Sequence, residues 1–278
     1  MKLVKSKDNK ILKEISSSHI AFFKKIKFIF VIIFFIINLQ CSSKKVPLII
    51  GHRGAKGHIT ENTLPSIKKA LELGVDGIEI DVFLCKSGEL VVFHDKKLDR
   101  LTNVKGYIEN LEYDSIKKIS VKGEYKIPTL DEVVELIDRK AILNIELKGS
   151  GTAEPTHKLL TPILKQKRWI ADQFIISSFN WDELKIFYKL NQKVSIAILT
   201  GSDPLDAIPI AKQLNAIAIN PNFRALDLKN VKKIHNEGYK VFPYTINNPR
   251  DIEEMLNLKV DGIITDFPER VKKALSSN

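Results

Sequence analysis

The residues best suited to chemistry fall in five short clusters: Gly51-His52-Arg53-Gly54, Glu61-Asn62-Thr63, Glu79-Ile80-Asp81, His94-Asp95 and Glu146-Leu147-Lys148. Side chains alternate faces along a strand, so Glu79 and Asp81 share one face of their segment, and Glu146 and Lys148 share one of theirs. Ile78, Ile80 and Val82 flank the first pair, which argues against a solvated acidic edge. Carboxylates gathered in an apolar setting are costly unless they are paired or bind a cation. An all-oxygen donor set from Glu79, Asp81 and Glu146 suits a hard divalent ion, Ca²⁺ or Mg²⁺, rather than zinc. His52 and His94 each follow a different predicted strand. With an unperturbed pKa of ~6.5, an imidazole can take up a proton on one side of a reacting group and release one on the other. Arg53 offers a planar fork matched to phosphate oxygens.

The elements that must position these residues are short β-branched runs alternating with amphipathic stretches, the pattern of βα units around a parallel sheet. Strands are predicted over 47–51, 77–82, 141–147, 174–177, 194–199, 216–220, 240–246 and 262–265, and helices over 63–73, 130–138, 156–167, 181–190, 204–214, 226–237, 249–258 and 268–275. Eight of each predict a closed TIM (β/α)₈ barrel, whose active sites form at the carboxyl ends of the strands. Thr129 with Glu132 and Asn180 with Glu183 have capping-box spacing. Val75-Asp76-Gly77-Ile78 leading to Asp81 is echoed by Val260-Asp261-Gly262-Ile263 leading to Asp266, two helix-to-strand turns with one design. Leu90 to Phe93 after Ser87-Gly88 predicts a hairpin, and 96–128, without a long helical pattern, an insertion after the second strand.

In their order and spacing these motifs resemble the glycerophosphodiester phosphodiesterase family, marked by H-R-G, E-N-T, E-x-D, H-D and E-x-K. The likeness runs from Leu48 to Pro268 and takes in Arg100, Pro128-Thr129-Leu130, Ser177-Ser178-Phe179 and Thr265-Asp266-Phe267-Pro268. The resemblance implies that His52 and His94 are the catalytic pair, that Glu79, Asp81 and Glu146 hold the metal, and that Arg53 and Lys148 contact phosphate. It makes Asn62 a site residue that braces its loop, although an Asn-Thr pair before Leu64-Pro65 reads equally well as a helix cap. Thr60 replaces a common proline, and Tyr244 stands where a tryptophan is frequent; both are expected at the substrate rim. The implied reaction hydrolyses a small-molecule or lipid-derived phosphodiester to sn-glycerol 3-phosphate and an alcohol. Lysophospholipase D or sphingomyelinase-like action, and a non-catalytic surface-binding lipoprotein, are the alternatives. No role is expected for His58, His157 or His235.

The net charge of +11 on 278 residues does not mark a nucleic-acid binder, because ten lysines against Asp8 and Glu14 in residues 1–45 account for +8 of it. The remainder lacks the basic face that a polyphosphate backbone requires. Residues 1–45 read as an export segment, with Lys24, Lys25 and Lys27 ahead of the apolar run 28–37. The twelve residues from Phe28 to Leu39 rise ~18 Å as a helix, short of a ~30 Å hydrocarbon core. The run ends at Cys41, and a bacterial lipoprotein signal, with Cys41 lipidated, and an uncleaved anchor both remain open; either predicts an exported, membrane-anchored protein. The barrel domain is expected over 46–278. Cys85 is the only other cysteine, so lipidation of Cys41 would leave no intramolecular disulfide.

Overall fold

The computed structural model describes residues 46–277; the export segment expected from the sequence, with Cys41, lies outside them. In chain order the elements are β1 (Leu48–His52), α1 (Leu64–Glu72), β2 (Gly77–Leu84), β3 (Leu90–Val92), α2 (Tyr113–Ile116), β4 (Ser120–Val121), β5 (Tyr125–Lys126), α3 (Leu130–Ile137), β6 (Ile142–Leu147), α4 (Ala153–Lys165), β7 (Phe174–Ser178), α5 (Trp181–Leu190), β8 (Ser195–Thr200), α6 (Ile208–Gln213), β9 (Ala218–Pro221), α7 (Leu228–Asn236), β10 (Lys240–Val241), α8 (Pro249–Leu258), β11 (Gly262–Thr265) and α9 (Pro268–Ser276). Among the described residues, eight parallel strands run in the order β10-β9-β8-β7-β6-β2-β1-β11. The ring closes between its end strands by backbone bonds from Asp261 to Val241 (3.0 Å), from Ile264 to Pro243 (3.1 Å) and from Ile246 to Ile264 (2.9 Å). This is the TIM barrel expected of eight βα units. Val46, the first described residue, lies beside the amino end of β1, the pole opposite the strands' carboxyl rim.

Three apolar clusters hold the barrel together. The largest lies between the strands and the outer helices and includes Ile67, Ile78, Ile80, Leu130, Phe174, Phe187 and Ile263. A small interior plug of Ile50, Ile175, Ala197, Ala218, Phe242 and Ile264 fills the amino end of the bore. The third cluster, with Phe83, Cys85, Phe93, Leu98, Ile108 and Ile116, sits beneath the insertion. That segment has no long helix, as its sequence predicts; it carries α2 and the β4–β5 ribbon, while β3 pairs antiparallel with β2.

The elements depart from expectation in physically legible ways. The predicted strand 240–246 is regular only through Val241, because Pro243 has no N–H to give the ladder. The helix expected over 204–214 divides into a 3₁₀ turn, Pro204–Ala207, and α6, which has a second proline at its start. The helix expected from Thr156 begins at Ala153. The capping box at Thr129 and Glu132 forms. At α5, by contrast, the Asn180 side chain accepts from Asp182 N, and Glu183 turns away to accept from the backbone N–H groups of Gly151 and Ala153 at 2.7 and 2.8 Å. It thereby caps the start of α4 instead of its own helix. Among the described residues no helix is long and apolar enough to cross a membrane.

Candidate active site

Register brings the acids together. β1 pairs with β2 so that His52 lies opposite Glu79, and β2 pairs with β6 so that Asp81 lies opposite Glu146. One oxygen from each of Glu79, Asp81 and Glu146 lies within 4.8 Å of the others, and all three residues are buried. Burial, then the neighbouring Asp81 and Glu146 charges, pushes the Glu79 carboxyl well above the ordinary carboxylate range. Burial and the Asp81 charge lift Glu146 to about 7. Burial acts to raise Asp81 as well, but Arg53, His94 and Lys148 outweigh it and hold that carboxyl low. Asp81 Oδ1 is buried without a hydrogen-bond partner; its nearest cation is Lys148 Nζ at 3.7 Å. Two carboxyls reluctant to ionise beside a third with an orphaned oxygen make a donor set that fits a hard divalent cation.

The turn after β1 works because Arg53 and Gly54 adopt left-handed backbone, with φ of 51° and 87°. A Cβ on Gly54 would lie 2.6 Å from the Ser66 carbonyl carbon, so only glycine fits against α1. This turn aims Arg53 N at Glu79 Oε2 (2.9 Å) and sends its side chain inward. Arg53 Nη1 donates to Glu61 (2.6 Å), and Nε lies 3.2 Å from Asp81 Oδ2. Arg53 is therefore largely engaged by carboxylates, with Nη2 the guanidinium nitrogen free of protein hydrogen bonds among the described residues. Asn62, also left-handed at φ 56°, donates from Nδ2 to Asp81 Oδ2 at 2.8 Å, while Thr63 caps α1. Asn62 thus ties its loop to Asp81, and of the Asn-Thr pair it is the threonine that caps the helix.

Each histidine is held by an aspartate. His52 Nδ1 lies 2.6 Å from Asp266 Oδ1, and Asp266 Oδ2 in turn accepts from Asn247. Nε2 of His52 accepts from Arg53 Nε at 3.1 Å, which fixes the tautomer with the proton on Nδ1. His94 Nδ1 pairs with Asp95 Oδ1 at 2.6 Å, and Asp95 is steadied by Arg100. Burial depresses both imidazole pKa values, against the opposing pull of Asp266 on His52 and of Asp81 on His94. Arg100 and Arg53 also converge on buried Glu61, with Arg100 bidentate at 2.6 and 3.0 Å. Sequence reasoning gave no role to Asp95, Asp266 or Glu61. The signals were present: Asp95 adjoins His94, and Asp266 occupies the echo position of Asp81.

These groups border one cavity of about 290 Å³, lined by His52, Arg53, Glu79, His94, Glu146 and Lys148, with Tyr244 and Phe179 among the remaining walls. Lys148 Nζ donates to Glu146 at 2.7 Å. Tyr244 donates its hydroxyl to Thr200 O (2.9 Å) and packs edge-on to Phe179; it therefore offers the cavity its ring. All nine sequence-predicted barrel positions, His52, Arg53, Asn62, Glu79, Asp81, His94, Glu146, Lys148 and Tyr244, belong to this one neighbourhood. His58 and His235 pair instead with Glu269 and Asp261, away from the cavity.

Residues 52–270 match the model of the glycerophosphoryl diester phosphodiesterase family. A glycerophosphodiester phosphodiesterase of Bacillus altitudinis is 36% identical over 236 residues, covering 81% of this chain and 96% of that protein. One from Caldanaerobacter subterraneus is 36% identical over 232 residues, covering 80% and 95%. Among solved structures, an Oleispira antarctica phosphodiesterase in complex with the product sn-glycerol-3-phosphate superposes with a TM-score of 0.77 at 30% identity, covering 83% of this chain and 97% of that one. Barrel, site geometry and relatives agree that this chain belongs to the glycerophosphoryl diester phosphodiesterase family.

Proposed function

We propose that the chain hydrolyses glycerophosphodiesters to sn-glycerol 3-phosphate and an alcohol, at the cavity above β1, β2 and β6, with one divalent cation held by Glu79, Asp81 and Glu146. The observation that carries this reading is the convergence of two aspartate-anchored imidazoles on a buried three-carboxylate cluster. Bound there, Ca²⁺ or Mg²⁺ would supply Lewis-acid polarisation of a phosphoryl oxygen. The chain's own groups do the rest. Arg53 Nη2 and Lys148 Nζ face the diester's charge, and as fixed donors they stabilise the negative charge that grows in the transition state. Of the two imidazoles, one takes the proton of the attacking hydroxyl or water, and the other gives a proton to the departing alcohol. Asp266 and Asp95 hold the rings in orientation, as the acidic partner of a catalytic histidine does elsewhere.

A wider groove adjoins the cavity, sharing His94, Glu146, Lys148 and Phe179 and adding Phe83 and Asn180. Its aromatic walls favour a second reading, lysophospholipase D action with an acyl chain lying along Phe83 and Phe179. One assay addresses both. Purified protein is offered glycerophosphocholine and lysophosphatidylcholine with Ca²⁺, Mg²⁺ or chelator. Chelation and either His52→Ala or His94→Ala are expected to reduce turnover at least ~10²-fold, the lower end of what a positioned proton-transfer group contributes. Equal rates with and without these changes would discard the assignment, and the preferred substrate decides between the readings. Export and anchorage through residues 1–45 belong to the same proposal and are tested by mass spectrometry of the native amino terminus, where a diacylglyceryl group on Cys41 is the supporting result.

A further inference from the structure

Beside the carboxylate cluster, where Asn144 lies opposite Glu79 and Ser177 opposite Glu146, the bore of the barrel contains polar atoms that nothing satisfies. Asn144 is 3% exposed and Ser177 is fully buried, and both line the cavity. Asn144 Oδ1 and Ser177 Oγ have no hydrogen-bond partner, and Asn220 on β9 adds two more such atoms. Their direction follows from alternation along the strands: Ile142, Ile175 and Ala218 belong to the interior plug, so Asn144, Ser177 and Asn220, each two residues further on, face the same bore. Alanines at 197 and 218 beside Ser177 leave room there. Buried polar groups are almost always paired, with protein, water or ligand.

We propose that Asn144 and Ser177 form a polyol subsite that receives the glycerol hydroxyls of the substrate, a reading that rests on the proposed glycerophosphodiester activity. The chemistry of the orphans selects the guest. A carbonyl-type oxygen such as Asn144 Oδ1 only accepts, so the unprotonated oxygens of a phosphodiester have no proton to offer it. An alcohol donates to Asn144 and accepts from Ser177. Asn144 lies two residues before Glu146, roughly 6–7 Å along the strand, a span that a three-carbon chain bridges from a phosphate at the level of Glu146, where Lys148 Nζ lies. Leu199 and Ile264, which also line the cavity, suit its CH groups. The subsite makes the enclosed end of the cavity specific for the glycerol half and leaves the alcohol half to the open groove.

Calorimetric titration of the full chain, in saturating Mg²⁺ or Ca²⁺, with sn-glycerol 3-phosphate and separately with inorganic phosphate reads the contribution of the polyol alone. The unsubstituted protein is expected to prefer sn-glycerol 3-phosphate at least tenfold. Asn144→Ala and Ser177→Ala should each erase about five- to tenfold of that preference, the scale of one neutral hydrogen bond. Ser177→Ala removes a single oxygen, so it keeps the test valid should Asn144→Ala fail to fold. Absence of a preference in the unsubstituted protein, or a preference unchanged in a folded variant as a resident water would give, overturns the subsite. A protein that binds with this preference but turns over no glycerophosphodiester retains the subsite and loses the hydrolytic reading.

Discussion

His52 is oriented by a side chain 214 residues away, and the consequence is a measurable pH effect. Burial lowers the His52 pKa and the Asp266 bond raises it, so Asp266→Asn removes a raising influence and takes the pKa further down. If His52 must be neutral, the acid limb of the rate profile should move to lower pH, while the maximal rate falls about 10- to 100-fold through lost orientation; a limb unmoved by the substitution would assign it to another group. Glu61 gives a stability effect of opposite kind. Burial acts to raise its pKa, but the Arg100 bond and Arg53 overcome it, bringing the carboxyl from its ordinary 4.5 down to about 2. A depressed carboxyl stabilises the fold fully above the unfolded value and loses that contribution as pH falls through the folded one. Stability should therefore decline between pH 4.5 and 2 more steeply in the parent than in Glu61→Gln, as read by acid unfolding. The acids and histidines were legible in sequence because they sit in short motifs at strand ends. Their holders were less so, since Asp266 pairs across nearly the whole chain, and Asn144 and Ser177 look like ordinary strand residues until the bore is seen to contain them.

Strands with apolar residues on both faces, such as β6 and β7, were readable because each is buried on both sides. The segment after Val241 was not, because the barrel's closing bonds are made by irregular backbone around Pro243. Here Gly262 of β11 lies flush against the Phe242 ring; an added Cβ would meet Phe242 Cδ1 at 2.7 Å. Phe242 is buried in the interior plug and has no space to yield. Gly262→Ala should accordingly cost about 1–3 kcal/mol by overpacking, lowering Tm by several degrees in a chain of this size. A melting temperature within about one degree of the parent would show that the seam yields easily. Asp76 and Asp261, the paired acids of the sequence echo, serve the architecture in the same way, since each accepts a backbone N–H from a neighbouring strand, that of Ile49 and of Val241 respectively. The echo therefore reports two strand entries built alike, with Asp81 and Asp266 delivered to the site at their far ends.

At the level of the molecule, a parallel ring sends every strand's carboxyl end to one rim, and that alone gathers residues 52 through 266 around a single mouth. The eight-unit count was therefore enough to foresee where the site would form. It could not foresee the bore's polar lining, which depends on three strands agreeing in register. Val46 lies at the other pole, and this geometry has a practical side. A bead, slide or electrode coupled through a cysteine placed at position 46 holds the barrel by its base, so the catalytic opening points into the surrounding liquid. Turnover per molecule on such a support should stay within about twofold of the free protein for a small diester, measured by product release in flow, whereas coupling through Lys96 at the groove should throttle it.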